Sequence, residues 1–153
     1  MADKIKIEYI DIGLLRPAEY NPRKWNEAQV GNLRASIEKY GIIDPLIVNN
    51  APERANVLIG GHFRLYVAGQ MGIKQVPVVY LTITDIEREK ELNVRLNKNM
   101  GEFDLELLAD FDESLLKDIG FSSEEMDKIF KAEDKPEDDD VPEVKTTDRK
   151  SVV

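Results

Sequence analysis

The chain has 153 residues and no cysteine. This length suits one domain with an apolar core, and the missing thiols exclude disulfides, thiolate metal sites and cysteine nucleophiles. The net charge of −9 makes a generic DNA binder improbable, because affinity for the phosphate backbone comes mainly from Lys and Arg. No apolar run approaches the roughly 20 residues of a membrane helix, and the opening residues do not resemble a signal peptide, so we expect a cytoplasmic protein.

The charge divides the chain into three predicted regions. Residues 1–83 carry a net charge of +2, residues 84–131 carry −7 and residues 132–153 carry −4. We predict that these regions are a mixed α/β core, a helical extension and a disordered acidic tail or linker. The last prediction rests on the near absence of apolar residues after residue 132.

Short apolar strands alternate with helices in the first region. Alternating apolar residues at 5–9 predict a half-buried strand. Asn26 and Gln29 predict a capped helix that Gly41 ends. Further strands are predicted at 45–48, 57–59 and 76–81, with a short helix at 62–71. The order of these elements predicts an α/β (α+β) fold, in which helices flank a small mixed sheet.

The second region is predicted to be helical. Thr84 and Glu87 form a predicted capping box for a helix that runs to about Asn97. Leucines between residues 105 and 116 predict one or two short helices. Ser122 and Glu125 predict a second capping box before the last helix.

The strongest local signal is the pair Gly60 and Gly61, between a predicted strand and a predicted helix. Two glycines let backbone N–H groups approach an anion, and the helix N-terminus adds unpaired donors and a positive dipole end. The Arg64 guanidinium could form a bidentate hydrogen bond with a phosphate. His62 could donate a hydrogen bond or relay a proton near neutral pH. The alternative is a tight turn in which His62 packs and Arg64 forms a surface ion pair.

Two weaker signals lie elsewhere in the chain. Glu89, Asn93 and Asn97 are four residues apart on one predicted helix face, and oxygen ligands of this kind suit Mg²⁺. The alternative is a solvated acidic face that binds nothing. Arg23 follows Asn21 and a proline in an irregular segment that could fold over a ligand.

Together, residues 5–100 resemble the ParB N-terminal domain, whose superfamily includes sulfiredoxin. The run Gly61-His62-Phe63-Arg64, followed by Ala68, Gly72 and Pro77, resembles the family's Gly-Glu-Arg-Arg box. His62 and Phe63 depart from that box. Glu89 matches the acid of a second box, whose Asn and Arg are replaced by Lys90 and Asn93. The resemblance implies a nucleoside triphosphate ligand, CTP or ATP, with Mg²⁺, held at Arg23, Gly60, Gly61, His62 and Arg64.

Two further segments resemble the ParB-like domain that is fused to phage and bacterial DNA methyltransferases. They are residues 92–98, Leu-Asn-Val-Arg-Leu-Asn-Lys, and residues 101–104, Gly-Glu-Phe-Asp. The resemblance implies an accessory or regulatory module in DNA modification or in phage or plasmid DNA handling. DNA would then be reached through a fused or bound partner. The chain holds no methyltransferase motif, so it is not a methyltransferase on its own.

Two other functions remain open at this point. The chain could be a small enzyme of the same superfamily, either a nuclease, a nucleotide hydrolase or an ATP-dependent phosphotransferase. His62, Glu89 and Glu91 are then the candidate catalytic residues, because such an enzyme needs a general base or a metal-binding carboxylate. Sulfiredoxin chemistry is excluded, since it needs a cysteine. The third function is protein interaction alone, with a vestigial pocket.

Overall fold

The computed structural model of the chain describes residues 4–134. These residues form two compact units, divided between Met100 and Gly101. Within the described part of the chain, no helix has both the length and the apolar composition that crossing a membrane requires. Residues 135–153, which make up most of the predicted acidic tail, lie outside the described residues.

The first unit contains a four-stranded sheet and three α-helices among its described residues. Its elements, in chain order, are β1 (Ile7–Asp11), α1 (Glu27–Tyr40), β2 (Leu46–Asn49), β3 (Val57–Gly60), α2 (His62–Gln70), β4 (Gln75–Leu81) and α3 (Ile86–Lys98). Single turns of 3-10 helix occur at Ile12–Leu14 and Pro52–Arg54.

The sheet is mixed, as the sequence predicted. Its strand order is β1-β4-β2-β3. Strand β4 is antiparallel to β1, with Val79 opposite Ile7, and parallel to β2. Strand β3 is antiparallel to β2. The connection from β2 to β4 therefore runs through β3 and α2, which places the β3–α2 junction beside the central strands.

The main core lies on one face of this sheet. Leu46, Val48 and Leu58 are fully buried there together with Val76 and Val78, and α2 contributes the fully buried Ala68. Burying an aliphatic side chain of this size stabilises the fold by about 1.5–3 kcal/mol. The strands at the β3–α2 junction are therefore rigid supports for the residues that follow them.

The predicted ends of α1 are confirmed. The Asn26 side chain accepts from the Gln29 N–H at 2.8 Å, and the Gln29 side chain accepts from the Asn26 N–H at 2.9 Å. Gly41 ends the helix with a φ of +78°, and its N–H donates to the Ile37 carbonyl at 2.7 Å. These bonds satisfy backbone groups that the helix leaves unpaired at its ends.

The predicted capping box at the start of α3 is wrong. Asp85, not Thr84, is the N-cap residue, and its carboxylate accepts from the Glu87 N–H at 2.9 Å. Asp is at least as good a cap as Thr. The Glu87 side chain lies 3.7 Å from the Lys90 ammonium instead of reaching back to the cap.

Helix α3 lies within the first unit, whereas the sequence analysis placed it at the start of the helical extension. Two of its polar residues, Glu89 and Asn93, are fully buried. Asn93 Nδ2 donates to the Ile59 carbonyl on β3 at 2.9 Å. Because these side chains hold α3 to the sheet, the compact unit continues to Met100.

The second unit is helical, as predicted. It contains α4 (Leu105–Leu108), α5 (Glu113–Ile119) and α6 (Ser123–Asp134). Its core includes Leu116, Met126 and Ile129. The second predicted capping box is confirmed, since the Ser122 hydroxyl accepts from the Glu125 N–H at 3.1 Å and the Glu125 carboxylate accepts from the Ser122 N–H at 2.8 Å.

Candidate functional site

A cavity of about 410 Å³ lies beside the junction of β3 and α2. Its wall brings together the five residues that the sequence suggested for phosphate binding, Arg23, Gly60, Gly61, His62 and Arg64. The wall also includes Asp44, Ile47, Phe63, Leu96 and Asn97. The cavity is therefore lined by both polar and apolar residues and lies adjacent to the start of α2.

Gly61 has a conformation and surroundings that only glycine fits. Its φ is +97°, a value that L side chains rarely adopt. A Cβ at this position would lie 2.5 Å from Leu46 Cδ2, which is a steric clash with a fully buried core side chain. The backbone can therefore line the cavity directly, with no side chain between it and a ligand.

Gly61 is also the N-cap residue of α2, and no side chain caps this helix end. The first N–H groups of an α-helix have no partner within the helix, and the helix dipole makes that end positive. Since His62 and Phe63 open the helix and line the cavity, the positive end of the helix lies beside it, which is the arrangement that suits an anion.

Arg64 places a guanidinium in the first turn of the same helix. Its Nη2 donates to the Pro45 carbonyl at 3.0 Å, and its Nε is buried with no hydrogen-bond partner within the described residues. Burial lowers the pKa of Arg64, and the nearby Asp44 carboxylate opposes this shift. The side chain is therefore held against the cavity wall with part of its donor capacity unused.

His62 faces the protein interior. Its side chain is 8% exposed, and its Nε2 accepts from the Ala18 N–H at 3.0 Å. Burial lowers the pKa of His62 to about 4. The imidazole holds the segment before α1 against α2, and its lowered pKa and its bond to Ala18 argue against a proton relay near neutral pH.

The segment before α1 is joined to α3 by three side-chain contacts. Tyr20 donates its hydroxyl to Glu89 at 2.6 Å, and Asn93 Nδ2 approaches Asn21 Oδ1 at 3.4 Å. The third contact is a hydrogen bond from the Arg23 guanidinium to Asn97 Oδ1. The three α3 residues are one turn apart. They are the residues that the sequence suggested for Mg²⁺.

Glu89 is at the centre of a buried hydrogen-bond network. Besides the Tyr20 hydroxyl, its carboxylate accepts from Asn49 Nδ2 at 2.7 Å and from Arg54 Nε and Nη2 at 3.1 and 2.8 Å. Burial alone would raise the pKa of Glu89, but the hydrogen bonds from Arg54, Tyr20 and Asn49 outweigh it and lower the pKa. Arg54 also contacts Glu19 at 2.9 Å. Every lone pair of the Glu89 carboxylate is thus engaged by protein donors.

The structure therefore does not assemble Glu89, Asn93 and Asn97 into a magnesium site. The oxygens of Glu89 and Asn97 accept from protein donors, so only Asn93 Oδ1, which is buried with no partner within the described residues, is left without a donor. Among residues 4–134, no group of three or more His, Asp or Glu side chains could hold a metal ion. The polar face of α3 holds the segment before α1 in place.

Glu91 lies apart from the cavity. Its carboxylate accepts from Arg95 Nε at 2.7 Å, and it lines a different groove of about 360 Å³ with Thr82 and Arg88. Residues two apart on a helix point in different directions. Glu89 and Glu91, which the sequence analysis treated as equivalent candidates, therefore have different surroundings.

Sequence reasoning missed the partners of Glu89. One of them, Asn49, ends β2 and is fully buried. Its side chain also accepts from the Ala51 N–H at 2.9 Å. The signal that could have identified it is an Asn directly after a buried apolar strand, where a turn-forming side chain often bonds the backbone two residues on.

The comparisons with known proteins agree with the fold. Residues 1–100 match the model of the ParB N-terminal domain. The chain belongs to this family. Over 102 residues it is 32% identical to a probable chromosome-partitioning protein ParB of Vibrio cholerae, a match that covers 66% of this chain and 34% of the relative. It is 31% identical over 91 residues to the ParB-like nuclease domain-containing protein YnaK of Escherichia coli, covering 59% of this chain and 100% of YnaK.

A solved structure of the ParB family has the same fold. It is the C-terminally truncated ParB of Caulobacter crescentus in complex with CTP-gamma-S, with a TM-score of 0.62 and 20% identity. The match covers 81% of this chain and 70% of that structure. The chain thus corresponds to about a third of the length of the Vibrio cholerae relative, and what it shares with the longer ParB proteins is the N-terminal domain.

Proposed function

We propose that this ParB N-terminal domain binds a nucleoside triphosphate, with the phosphates at the start of α2. The observation that carries the proposal is the convergence of donors on the cavity of about 410 Å³. Gly61 leaves no room for a side chain, the first N–H groups of α2 are uncapped, and Arg64 Nε is buried without a partner in the described residues. Uncapped backbone donors beside a guanidinium match the chemistry of a phosphate group.

CTP is the first nucleotide to test. The Caulobacter crescentus relative was solved with CTP-gamma-S, and ATP is the alternative that the sequence resemblance implies. Arg23, which lines the cavity from the segment before α1, would add a second charge-assisted contact. Protein donors already engage the oxygens of Glu89 and Asn97, and Asn93 Oδ1 alone does not make a magnesium site. Any Mg²⁺ would enter with the phosphates.

The proposed role is a regulatory or accessory one, without catalysis by the residues first suggested. His62 faces inward and is neutral, Glu89 is fully engaged, and Glu91 lines another groove. Of the carboxylates near the cavity, Asp44 lines its wall. A hydrolase or phosphotransferase would have to use that residue, and an Asp44→Asn variant would then lose turnover while keeping affinity.

Isothermal titration calorimetry tests the binding proposal. We expect CTP binding that Arg64→Ala weakens by about ten- to a hundredfold, because a charge-assisted contact contributes about 1.5–3 kcal/mol. The matched control is Arg88→Ala, which removes an Arg from the other groove. Equal affinity in the wild type and in Arg64→Ala would contradict the phosphate site. ATP and GTP titrations, each with and without Mg²⁺, define the specificity.

DNA contact is proposed to occur through a partner. The first 83 residues carry a net charge of only +2 and the next 48 carry −7, so few phosphates can be neutralised by this chain. We expect weak binding to a random duplex at near-physiological salt, measured by fluorescence anisotropy. Sub-micromolar affinity would contradict this expectation and would favour the nuclease alternative.

The context of DNA modification rests on the sequence alone, through residues 92–98 and 101–104. We propose that a DNA methyltransferase is the partner. The first test is whether a coding sequence that adjoins this one encodes a DNA methyltransferase. The second is whether such a methyltransferase co-purifies with this chain. Failure of both would remove the partner but would leave the nucleotide proposal intact.

A further inference from the structure

The wall of the cavity beside α2 contains one carboxylate among its described residues. It is Asp44, in the loop between α1 and β2, and the other charged residues of the wall are Arg23 and Arg64. The Asp44 side chain is exposed, and it forms no ion pair within the described part of the chain. A free negative group therefore lies at a cavity whose helix end and arginines suit an anion.

Asp44 lies next to the arginine that we propose for the phosphates. It directly precedes Pro45, whose carbonyl accepts from Arg64 Nη2 at 3.0 Å. Its charge also acts on the guanidinium, because it opposes the lowering of the Arg64 pKa that burial causes. A phosphate bound at Arg64 would therefore lie within the electrostatic reach of the Asp44 carboxylate.

A carboxylate near a bound phosphate is unfavourable by itself, because the two negative charges repel each other. A divalent cation between them reverses the sign of this interaction, since it attracts both groups. In nucleotide sites Mg²⁺ is bound through one or two carboxylates together with phosphate oxygens, and it keeps several water ligands. A single carboxylate beside a phosphate site is therefore the arrangement that favours the metal-loaded nucleotide over the free one.

The α3 side chains do not compete with Asp44 for this role. Asn97 lines the wall, but its Oδ1 accepts from Arg23 and its Nδ2 donates to a backbone carbonyl of α3. Glu89 is not part of the wall, and its carboxylate accepts two hydrogen bonds from Arg54. Asp44 is thus the acidic residue of the cavity whose oxygens are free of ion pairs among the described residues.

We propose that Asp44 is the protein ligand of a Mg²⁺ ion that enters this cavity with the triphosphate, and that it selects the metal-loaded nucleotide. The inference rests on the proposed nucleotide function. It assigns to the loop between α1 and β2 the role that the sequence suggested for α3. One carboxylate does not hold the ion alone, in agreement with the lack of any group of three metal-binding side chains among residues 4–134. Phosphate oxygens and water complete the coordination.

Isothermal titration calorimetry of the full chain with CTP, in Mg²⁺ and in EDTA, tests the proposal. In the wild type, Mg²⁺ should raise the affinity by at least about tenfold. Asp44→Asn should lose this increase. In EDTA the variant should bind CTP about two- to fivefold more tightly than the wild type, because an exposed carboxylate no longer repels the phosphates. Glu91→Gln is the matched control, since it removes one negative charge from the other groove and should behave as the wild type.

The same titrations separate this inference from the nucleotide proposal. An Asp44→Asn variant that keeps the wild-type Mg²⁺ dependence, as it would if Asp44 acted only in turnover, overturns the inference and leaves the phosphate site intact. A wild type with equal CTP affinity in Mg²⁺ and in EDTA has the same consequence. A wild type that binds CTP in neither condition overturns both proposals. Thermal melting checks that the substitution at this exposed position leaves the fold unchanged.

A change of ligand chemistry distinguishes metal ligation from repulsion at a distance. Asp44→Cys introduces a single thiol, since the chain has no cysteine, and a thiolate prefers Zn²⁺ where a carboxylate suits Mg²⁺. Asp44→Ser is the matched control, with a similar shape and no sulfur. Zn²⁺ should raise the CTP affinity of Asp44→Cys by at least about tenfold more than that of Asp44→Ser. Equal responses of the two variants to Zn²⁺ overturn ligation by this residue.

Discussion

The network around Glu89 and the cavity beside Gly61 differ in whether their polar groups have hydrogen-bond partners within the protein. In the network, protein donors engage both oxygens of the Glu89 carboxylate. At the cavity, the start of α2 is uncapped and Arg64 Nε has no partner in the described residues. A buried charge with all its partners holds a fold together, whereas backbone donors at an uncapped helix start beside a cavity are available to a ligand. The difference separates the polar residues that hold the fold together from those that we propose bind a ligand.

The largest expected effect is on the stability of the network. Glu89→Ala should lower the free energy of unfolding by about 3–5 kcal/mol, because it removes the fully buried acceptor shared by Tyr20, Asn49 and the half-buried Arg54 guanidinium. Urea denaturation at neutral pH measures the loss. Glu89→Gln, which keeps the shape and part of the hydrogen bonding, should lose less. A loss below about 1 kcal/mol for Glu89→Ala would show that the network does not hold the fold.

The second-largest expected loss of stability is at Gly61, in the cavity wall. Gly61→Ala should lower the free energy of unfolding by about 1–3 kcal/mol, because of its positive φ and the clash with Leu46. It should also weaken CTP binding. Gly69→Ala is the matched control, since a Cβ there meets nothing within 4 Å. That change should leave stability equal or raise it by up to about 1 kcal/mol. Equal behaviour of the two variants would contradict the role of Gly61.

The third effect is a pH dependence that comes from His62. Its pKa is about 4 in the folded protein and 6.5 ordinarily, so the unfolded chain takes up a proton that the folded chain does not. The stabilisation that comes from neutral His62 is complete above pH 6.5, the pKa of the unfolded chain. It is lost as the pH falls toward the folded-state pKa of about 4. Between about pH 7.5 and about pH 5.5 the wild type should lose about 1 kcal/mol of stability.

His62→Gln controls this measurement, because the chain has no other histidine. The variant should lose less stability than the wild type over the same pH interval. The carboxylates with a lowered pKa titrate below this pH interval, so they do not contribute to the difference between the wild type and the variant. A wild type whose stability changes no more than that of the variant would show that His62 is not buried in its neutral form.

The smallest effect concerns Glu91. Its pair with Arg95 is exposed on both sides, and such pairs contribute about 0.2–1 kcal/mol at most. Glu91→Gln should therefore change stability by less than about 0.5 kcal/mol and leave CTP affinity unchanged. A loss comparable to that of Glu89→Gln would mean that the contrast between the two glutamates is wrong.

The sequence predicted the parts of the fold that depend on near neighbours. The cap formed by Asn26 and Gln29 and the helix end at Gly41 need contacts only three or four residues away. The strand, the two glycines and the helix start around Gly60 to Arg64 were predicted for the same reason, since these features are adjacent in the chain.

The partners of Glu89 could not be predicted in this way. Asn49, Arg54 and Tyr20 are 40, 35 and 69 residues away along the chain. Whether Glu89 binds a metal or a guanidinium depends on which of these side chains the fold brings to it. The burial of His62 is equally non-local, because its partner Ala18 is 44 residues away. Residue type and spacing alone could not decide whether such a side chain binds a ligand or is a core residue whose hydrogen bonds are all made within the protein.

The position of β4 has a consequence for the order in which the domain can form on the ribosome. Both β1 and β2 pair with β4, although each is made well before it. Until residues 75–81 emerge, β1 has no strand to join and the β3–α2 loop has no completed sheet beneath it. Pairings this distant in sequence form late in folding. A fragment that ends before Gln75 would therefore lack the completed sheet beneath the cavity, and a stalled nascent chain of that length would leave both edges of β1 unpaired.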